Sequence, residues 1–150
     1  MGTAESSGVS AKEVLRNDFV VVRYAEADSL LLIDWNRQIE PEERQAAFLW
    51  CIQFSVDEQV KNWLINDEEI FIITSEEREW VSHTFTRLAA EAGIRKVAVF
   101  VPEDFYSGLQ TLTDFTQDAQ EIYRQFGVTE HEVFTDYSMA LIWLRSSTEV

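Results

Sequence analysis

The sequence contains few of the residues that small domains use as cross-links or chain breakers. It has one cysteine, Cys51, so no disulfide can form within the chain, and a reducing cytoplasm is the expected compartment. Only two prolines and five glycines interrupt the 150 residues. No apolar run approaches the roughly 18 residues of a membrane-spanning helix, and residues 1–10 lack the apolar core of a signal peptide. We therefore expect a cytoplasmic protein without membrane insertion.

Basic residues are also scarce. The chain has 12 Lys and Arg against 27 Asp and Glu, which gives a formal net charge of −15. This balance argues against binding to nucleic acid or to an anionic membrane, because both need clustered positive charge. An apolar fraction of 46% and an aromatic fraction of 13% predict a folded chain with a substantial core. We expect one domain over residues 14–147, preceded by a flexible N-terminus at 1–13.

The first two predicted strands come from apolar runs in the N-terminal third of the chain. Residues 18–24 contain a β-branched run typical of a strand, and residues 29–35 (SLLLIDW) indicate a second strand. The link between them, residues 25–28, is short and polar. Such a link predicts antiparallel pairing, because a parallel crossover needs about a dozen residues or more.

A helix and a third strand follow. Pro41 begins a helix over about residues 41–54. Its apolar residues at helical spacing are Ala46, Leu49, Trp50 and the pair Gln53 and Phe54. Residues 60–65 (VKNWLI) indicate the third strand. In an alternative interpretation the helix continues to Trp63 and residues 70–74 (IFIIT) form the strand, and periodicity does not separate the two.

The second predicted helix has a signal at each end. Thr74 with Glu77 forms a capping-box pattern at its start. The apolar stripe after it consists of Val81, Phe85, Leu88, Ala89 and Ala92. Gly93 ends the helix in the manner of a left-handed cap.

The remaining elements continue the alternation of strands and helices. Residues 96–101 (KVAVFV), ended by Pro102, are nearly all apolar and predict a strand buried on both faces. A stripe over 109–126 predicts a helix, residues 132–135 predict a strand, and Asp136 caps a final helix. The order ββαβαβαβα predicts an α/β fold: a mostly parallel sheet with one antiparallel edge strand, the first, and helices on both faces.

Several short motifs resemble those of one known family. They are Asp34-Trp35, Trp63-Leu64 before Asp67, residues 75–80 (SEEREW), 93–98 (GIRKVA), 134–136 (FTD) and 140–144 (ALIWL). In this order, over about residues 18–145, the chain is similar to the SpoIIAA-like family. That family is a branch of the STAS fold, related to anti-sigma-factor antagonists and grouped by some with Sec14-type lipid carriers. The resemblance implies a STAS-like sandwich of a sheet and helices.

The resemblance also implies a way of acting. The best-understood members of the family bind other proteins, and phosphorylation of a serine at the start of the helix after the third strand controls the partner. This chain has residues 66–69 (NDEE) at that junction, without Ser or Thr. Ser75 follows a few residues later, but its acidic neighbours would repel a phosphate. We expect Ser75 or Thr74 to cap the helix instead.

Acidic residues follow several predicted strands, and carboxylates in such positions could bind a metal ion. Residues 67–69, then Glu103 with Asp104, then Asp136 follow three strand ends that should share one edge of the sheet. Mg²⁺ accepts one or two such carboxylates. However, no lysine follows the fifth strand as in a receiver domain, and capping of helix starts explains Asp104 and Asp136. No metal and no cofactor is predicted.

No catalytic constellation emerges from the other reactive residues. His83 and His131 are the only histidines and lack the spacing of zinc ligands. We expect His83 within a helix and His131 in a turn. Cys51 lies in an apolar helix and is interpreted as a small buried hydrophobic residue. The chain has no nucleophile elbow, P-loop or dinucleotide-binding glycine motif.

Two of the five tryptophans are candidates for contact with a partner or ligand. Trp80 lies one turn into its helix beside the expected ligand edge, and Trp143 makes the final helix apolar on more than one side. The sequence predicts a non-enzymatic regulatory or protein-interaction domain, with a homodimer as one arrangement. The alternative is a carrier or sensor of a small apolar, lipid-like ligand. The candidate binding residues are Asp67, Ser75, Trp80 and Trp143.

Overall fold

The computed structural model describes residues 3–6, 9–101 and 129–146. Its strands are β1 (Thr3–Ser6), β2 (Val9–Arg16), β3 (Val20–Ala25), β4 (Leu30–Trp35), β5 (Asn62–Asn66), β6 (Lys96–Phe100) and β7 (Glu130–Phe134). Its α-helices are α1 (Pro41–Glu58), α2 (Ser75–Glu79), α3 (Thr86–Glu91) and α4 (Tyr137–Arg145). A π-helical segment, Trp80–Phe85, joins α2 to α3, and a 3₁₀ turn, Glu26–Asp28, joins β3 to β4.

The seven described strands form one sheet whose spatial order is the order of the sequence. Strands β1 to β4 pair antiparallel, and strands β4 to β7 pair parallel. The predicted α/β class is confirmed, and so is the antiparallel pairing of the two strands now identified as β3 and β4. The sheet is mixed, however, rather than mostly parallel with one antiparallel edge strand. Strand β3 lies inside the sheet because β2 pairs with its outer side.

The N-terminal part of the chain supplies the two strands that the sequence does not predict. Strand β2 begins at Val9, before the domain start expected near residue 14. It lacks the β-branched run that marks β3, and a β-bulge between Glu13 and Leu15 shifts its register. A bulge breaks the two-residue alternation that identifies strands from sequence. The pairing with β3 and the burial of Ala11 therefore define β2 only in the folded chain.

The boundary between the first helix and the third predicted strand is now fixed. Helix α1 runs to Glu58, longer than the predicted 41–54, and Gln59 closes it in a left-handed conformation with φ 58°. Strand β5 follows at Asn62–Asn66, and residues 70–74 form no strand. The first of the two interpretations is confirmed, with the strand shifted slightly toward the C-terminus.

The buried face of α1 differs from the predicted one. It consists of Arg44, Ala47, Phe48, Cys51 and Ser55, whereas the predicted stripe included Leu49, which is 47% exposed. Small residues on this face let the helix approach the sheet, and the Trp63 indole Nε1 donates a hydrogen bond to Ser55 Oγ (2.9 Å). Trp50 and Phe54 of the predicted stripe are partly buried against the core, so spacing alone identified only part of the buried face.

Helices cover both faces of the sheet, as predicted. The connections β4–α1–β5 and β5–α2–α3–β6 both step in the same direction across the sheet, so crossovers of one hand place α1 and α3 on one face. That core includes Phe48 and Phe85 packed with Ile65 and Val97. On the other face α4 packs Leu141, with its neighbours Ala140 and Leu144, against the sheet.

Local signals at the remaining element ends are also confirmed. Thr74 Oγ1 accepts a hydrogen bond from Glu77 N, as in a capping box. Asp136 Oδ1 accepts from the first N–H groups of α4, and Gly93 has a φ of 86° after α3. Strand β6 matches its prediction, and β7 begins slightly earlier than predicted. Pro102 and the helix predicted over 109–126 lie outside the described residues.

Candidate functional site at the carboxyl edge of the sheet

The carboxyl ends of the parallel strands β4, β5 and β6 meet at one edge of the sheet, where α/β proteins usually bind ligands. Asp67 directly follows β5 at this edge and is fixed from two sides. Its backbone N–H donates to Phe100 O (2.9 Å), and its Oδ1 accepts a hydrogen bond from Trp35 Nε1 (2.9 Å). The side chain that the sequence offered as a binding residue is therefore buried and held by Trp35 rather than turned to solvent.

A buried ion pair lies beneath the same edge. Arg44 of α1 donates through Nε to Glu77 Oε2 of α2 (3.1 Å), and both side chains are at most 5% exposed. The Arg44 guanidinium carbon also lies 5.5 Å from the Trp35 ring centroid and 5.8 Å from that of Phe48. Removing two charges from water is costly. Such a pair is therefore stable only if its remaining polar atoms also form hydrogen bonds.

Glu77 meets this requirement, but Arg44 does not meet it completely. Glu77 Oε1 accepts hydrogen bonds from Thr74 N (3.0 Å) and Thr74 Oγ1 (3.3 Å), so one side chain closes the capping box and binds Arg44. Arg44 Nη2 is buried and has no hydrogen-bond partner among the residues that the structure describes. A buried donor left unpaired costs about 1–3 kcal/mol, so this nitrogen is a place where a small polar molecule would be stabilised.

A small cavity adjoins Arg44. It has a volume of about 30 Å³, and its polar lining comes from Arg44, Asp67 and His131. Phe48 and Phe85 are among the apolar residues of the wall. A space of this size has room for roughly two water molecules, which would accept a hydrogen bond from Arg44 Nη2. It is far smaller than the roughly 300 Å³ of the smallest typical small-molecule sites.

Burial shifts the pKa values of the two titratable groups beside this cavity. Removal from water raises the pKa of Asp67, although the attraction of Arg44 and the Trp35 hydrogen bond oppose that shift. Burial also lowers the pKa of His131 from 6.5 to about 4. His131 is therefore neutral at neutral pH, because the loss of water on burial disfavours the charged imidazole.

The loop of residues 67–74, which we name the edge loop, covers this cluster. Gln38 fixes it: its Oε1 accepts from Phe71 N (2.7 Å) and Ile72 N (3.1 Å), and its Nε2 donates to Ile72 O (2.9 Å). Ile70 of the loop is buried, whereas Phe71 is 62% exposed and Ile72 is 65% exposed. The edge loop thus presents two large apolar side chains on a backbone held in place by one glutamine.

Exposed carboxylates surround the edge loop. They are Glu68 and Glu69 on the loop, Glu76 and Glu79 on α2, and Glu40 and Glu42 at the start of α1. Arg37, next to Gln38, is already paired with Asp18 and Glu43 at 3.0 and 2.9 Å, and Arg78 of α2 is outnumbered by the glutamates around it. The edge therefore combines apolar side chains with a negative electrostatic potential.

The structure places the other predicted site residues in three different settings. Ser75, the first residue of α2, is exposed, and Thr74 rather than Ser75 caps the helix. Trp80 begins the π-helical segment and packs on the core, with its ring centroid 6.5 Å from those of Phe48 and Phe85. Asp67 and Ser75 therefore stand at the two ends of the edge loop. Trp143 lies on α4, on the opposite face of the sheet.

Trp143 takes part in a contact that stabilises the end of α4. Its ring centroid lies 5.5 Å from that of Phe134 and 5.0 Å from Lys96 Nζ. Lys96 Nζ donates to Trp143 O (2.6 Å), Ser146 O (2.9 Å) and Ser146 Oγ (3.0 Å). Carbonyls at a helix C-terminus lack helical partners, so Lys96 caps α4. Desolvation by burial lowers the pKa of Lys96.

The other reactive side chains form no further site in the described ranges. No group of three His, Cys, Asp or Glu residues there is placed to hold a metal ion. Cys51 is fully buried, and burial raises the pKa of its thiol, which disfavours the thiolate that a nucleophile requires. His83 is exposed on its helix, whereas His131 lies within β7 rather than in the predicted turn.

Sequence reasoning missed Gln38, Arg44 and His131. Arg44 has a recognisable signal, because it lies at helical spacing from Ala47, Phe48 and Cys51 on the face that proved to be buried. Gln38 lies in a connection between β4 and α1, and its partner loop is more than 30 residues away. No local pattern marks such a contact, since it exists only once the sheet has formed.

Comparison of the chain with family models, with curated proteins and with solved structures finds no match. In the part of the chain that the structure describes, no helix is both long enough and apolar enough to span a membrane. The edge loop and the buried cluster beneath it are therefore the features that bear on function.

Proposed function

We propose that this chain is a non-enzymatic regulatory or protein-interaction domain of the SpoIIAA-like, STAS type, and that the edge loop is its docking surface. One observation carries the proposal: Phe71 and Ile72 are exposed to solvent, while their backbone N–H groups donate hydrogen bonds to Gln38 Oε1. The layered α/β sandwich agrees with the architecture that the resemblance implies. A cytoplasmic location is part of the proposal, supported by the single buried cysteine, Cys51.

The fixed backbone of the edge loop favours binding. Ordering a flexible side chain or loop on binding costs about 0.5–1.5 kcal/mol for each immobilised side chain. Gln38 makes three hydrogen bonds to residues 71 and 72, so the backbone is already ordered before a partner arrives. A partner that covers Ile72 gains the burial of an apolar side chain without the cost of ordering its backbone.

The charges around the loop define the partner. Glu68 and Glu69 lie beside Phe71 and Ile72 and are exposed. They favour a protein segment that presents an apolar side chain flanked by Lys or Arg, because complementary charge accelerates association and disfavours wrong partners. A second copy of this chain does not fit the same surface, since its glutamates would face the same glutamates across the contact.

The carrier alternative gains no support from the cavity beside Arg44. At about 30 Å³ that cavity has no room for a lipid-like molecule, and its lining includes the charged Arg44 and the carboxyl group of Asp67. We therefore interpret the buried cluster as the support beneath the edge loop. The Arg44–Glu77 pair joins α1 to α2, and Glu77 also fixes Thr74 at the end of the loop.

Peptide selection against the full-length chain tests the proposal. Displayed random peptides should yield binders that combine apolar residues with Lys or Arg. The affinity of one synthesised binder is then measured by fluorescence anisotropy. We expect Ile72→Ser to weaken this peptide about tenfold, since it removes a buried apolar contact of about 1.5 kcal/mol or more. Affinity should also fall as salt rises.

A matched control is available on the opposite face of the sheet. Ile142 of α4 is 62% exposed, almost as much as Ile72, so Ile142→Ser makes the same chemical change away from the edge loop. It should leave the peptide affinity unchanged. The proposal fails if selection enriches no basic, apolar sequence, or if the two substitutions weaken binding equally.

A further inference from the structure

A second groove lies at the other end of α1. It runs between strand β2, the end of β3, and the last turns of α1, and its volume is about 430 Å³. Small-molecule sites commonly have volumes of about 300–1,000 Å³. None of the groove's described lining residues belongs to the edge loop. Phe54 and Glu58 lie in the C-terminal turns of α1, whereas Arg44, which supports the edge loop, lies near the start of the helix.

Two aromatic residues, Tyr24 and Phe54, line this groove and contact each other edge to face. The ring centroids of Tyr24 and Phe54 are 5.3 Å apart, and the ring planes meet at 82°. Trp50 stacks on Phe54 at 5.4 Å, with an interplanar angle of 13°. The negative π face of an aromatic ring attracts an ammonium group.

Carboxylates line the same groove. Glu26 and Glu58 are exposed, and within the described residues neither takes part in a salt bridge. Both act on the Tyr24 hydroxyl: its pKa is raised by burial first, and then by the charges of Glu26 and Glu58. Lys12, opposite Tyr24 in the strand register, is the one basic residue among the described residues that line the groove.

We propose that this groove binds a small organic cation, an ammonium group that carries an apolar substituent. The ammonium lies against the rings of Tyr24 and Phe54 and between the carboxylates of Glu26 and Glu58. The apolar substituent covers the side chain of Val14 along the floor. The charges and the aromatic character of the lining favour the same ligand, since a carboxylate repels an anion and a ring face attracts a cation.

Titration of the full-length chain with n-butylammonium tests the proposal. n-Butanol, which has the same alkyl chain without the charge, is the comparison ligand. With the chain labelled at Tyr and Phe, NMR should show saturable shifts at Tyr24 and Phe54 for the amine. The same shifts should be at least about threefold weaker, at equal concentration, for the alcohol.

Substitutions of opposite expected sign sharpen the test. Glu58→Gln and Phe54→Leu should each weaken amine binding about threefold, because each removes one attraction for the cation. Lys12→Gln should strengthen binding, since it removes a positive charge that repels the cation. Glu69→Gln, an exposed glutamate of the edge loop, is the control and should leave amine affinity unchanged.

Three results would each overturn the proposal: shifts that do not saturate, equal binding of butanol and butylammonium, or no effect of Glu58→Gln. Glu58 is exposed, so this variant tests the site without disturbing the core, even if Phe54→Leu alters packing. The outcome is independent of the proposed protein interaction, because none of the substituted groove residues belongs to the edge loop.

Discussion

Replacing His131 with glutamine should make the chain less sensitive to acid. Burial lowers the pKa of His131 from 6.5 to about 4, so between these values the unfolded chain binds a proton that the folded chain excludes. The free energy of unfolding must therefore fall as the pH falls through this window. One pKa unit is worth about 1.4 kcal/mol, so His131 alone should cost the wild-type chain about 3 kcal/mol on acidification from pH 7.5 to 4.

Urea unfolding followed by tryptophan fluorescence measures this difference. Wild type and His131→Gln are compared at several pH values across the window, and the gap between their unfolding free energies should shift by about 3 kcal/mol in favour of the variant. Other acidic and basic groups titrate in both proteins and cancel in the comparison. His83→Gln is the control, since His83 is exposed and should follow the wild type. Parallel curves for wild type and His131→Gln would refute the burial of a neutral imidazole beside Asp67.

Two further substitutions test the buried polar contacts. Because burial raises the pKa of Asp67, the ionised carboxylate is penalised in the fold. Asp67→Asn, which keeps an acceptor for Trp35, should therefore gain more stability over wild type at pH 7 than at pH 4 in urea unfolding; a gap of the opposite sign would contradict this. Lys96→Met should cost about 2 kcal/mol in thermal unfolding, because the end of α4 loses its charged donor. Lys61→Met at an exposed position should cost little, and equal losses would refute the capping role.

The elements with local signals were predictable from the sequence. The capping box of Thr74 and Glu77, the cap at Asp136 and the stop at Gly93 each depend on residues within one turn of one another. Strand β6 was equally clear, because a strand buried on both faces is a continuous apolar run. The layered α/β class follows from the alternation of these elements.

The features missed depend on contacts between distant parts of the chain. Strand β2 is defined by pairing with β3 across a bulge, so its own residues carry a weak pattern. The choice of buried face on α1 depends on which side chains the sheet can accept, and a charged residue, Arg44, is accepted because Glu77 approaches from another helix. Of the four predicted site residues, Asp67 and Ser75 flank the edge loop, whereas Trp80 and Trp143 mainly pack on the two cores.

Hydrogen exchange at the amides of Phe71 and Ile72 tests most directly whether the edge loop is a preformed docking surface. Such a surface requires Gln38 to hold the loop in its binding conformation. Both N–H groups donate to Gln38 Oε1. We predict that these two amides are protected in the wild-type chain, and that Gln38→Ala speeds their exchange about tenfold, the equivalent of one lost hydrogen bond. Rapid exchange of both amides in the wild type, unchanged by Gln38→Ala, would contradict the account.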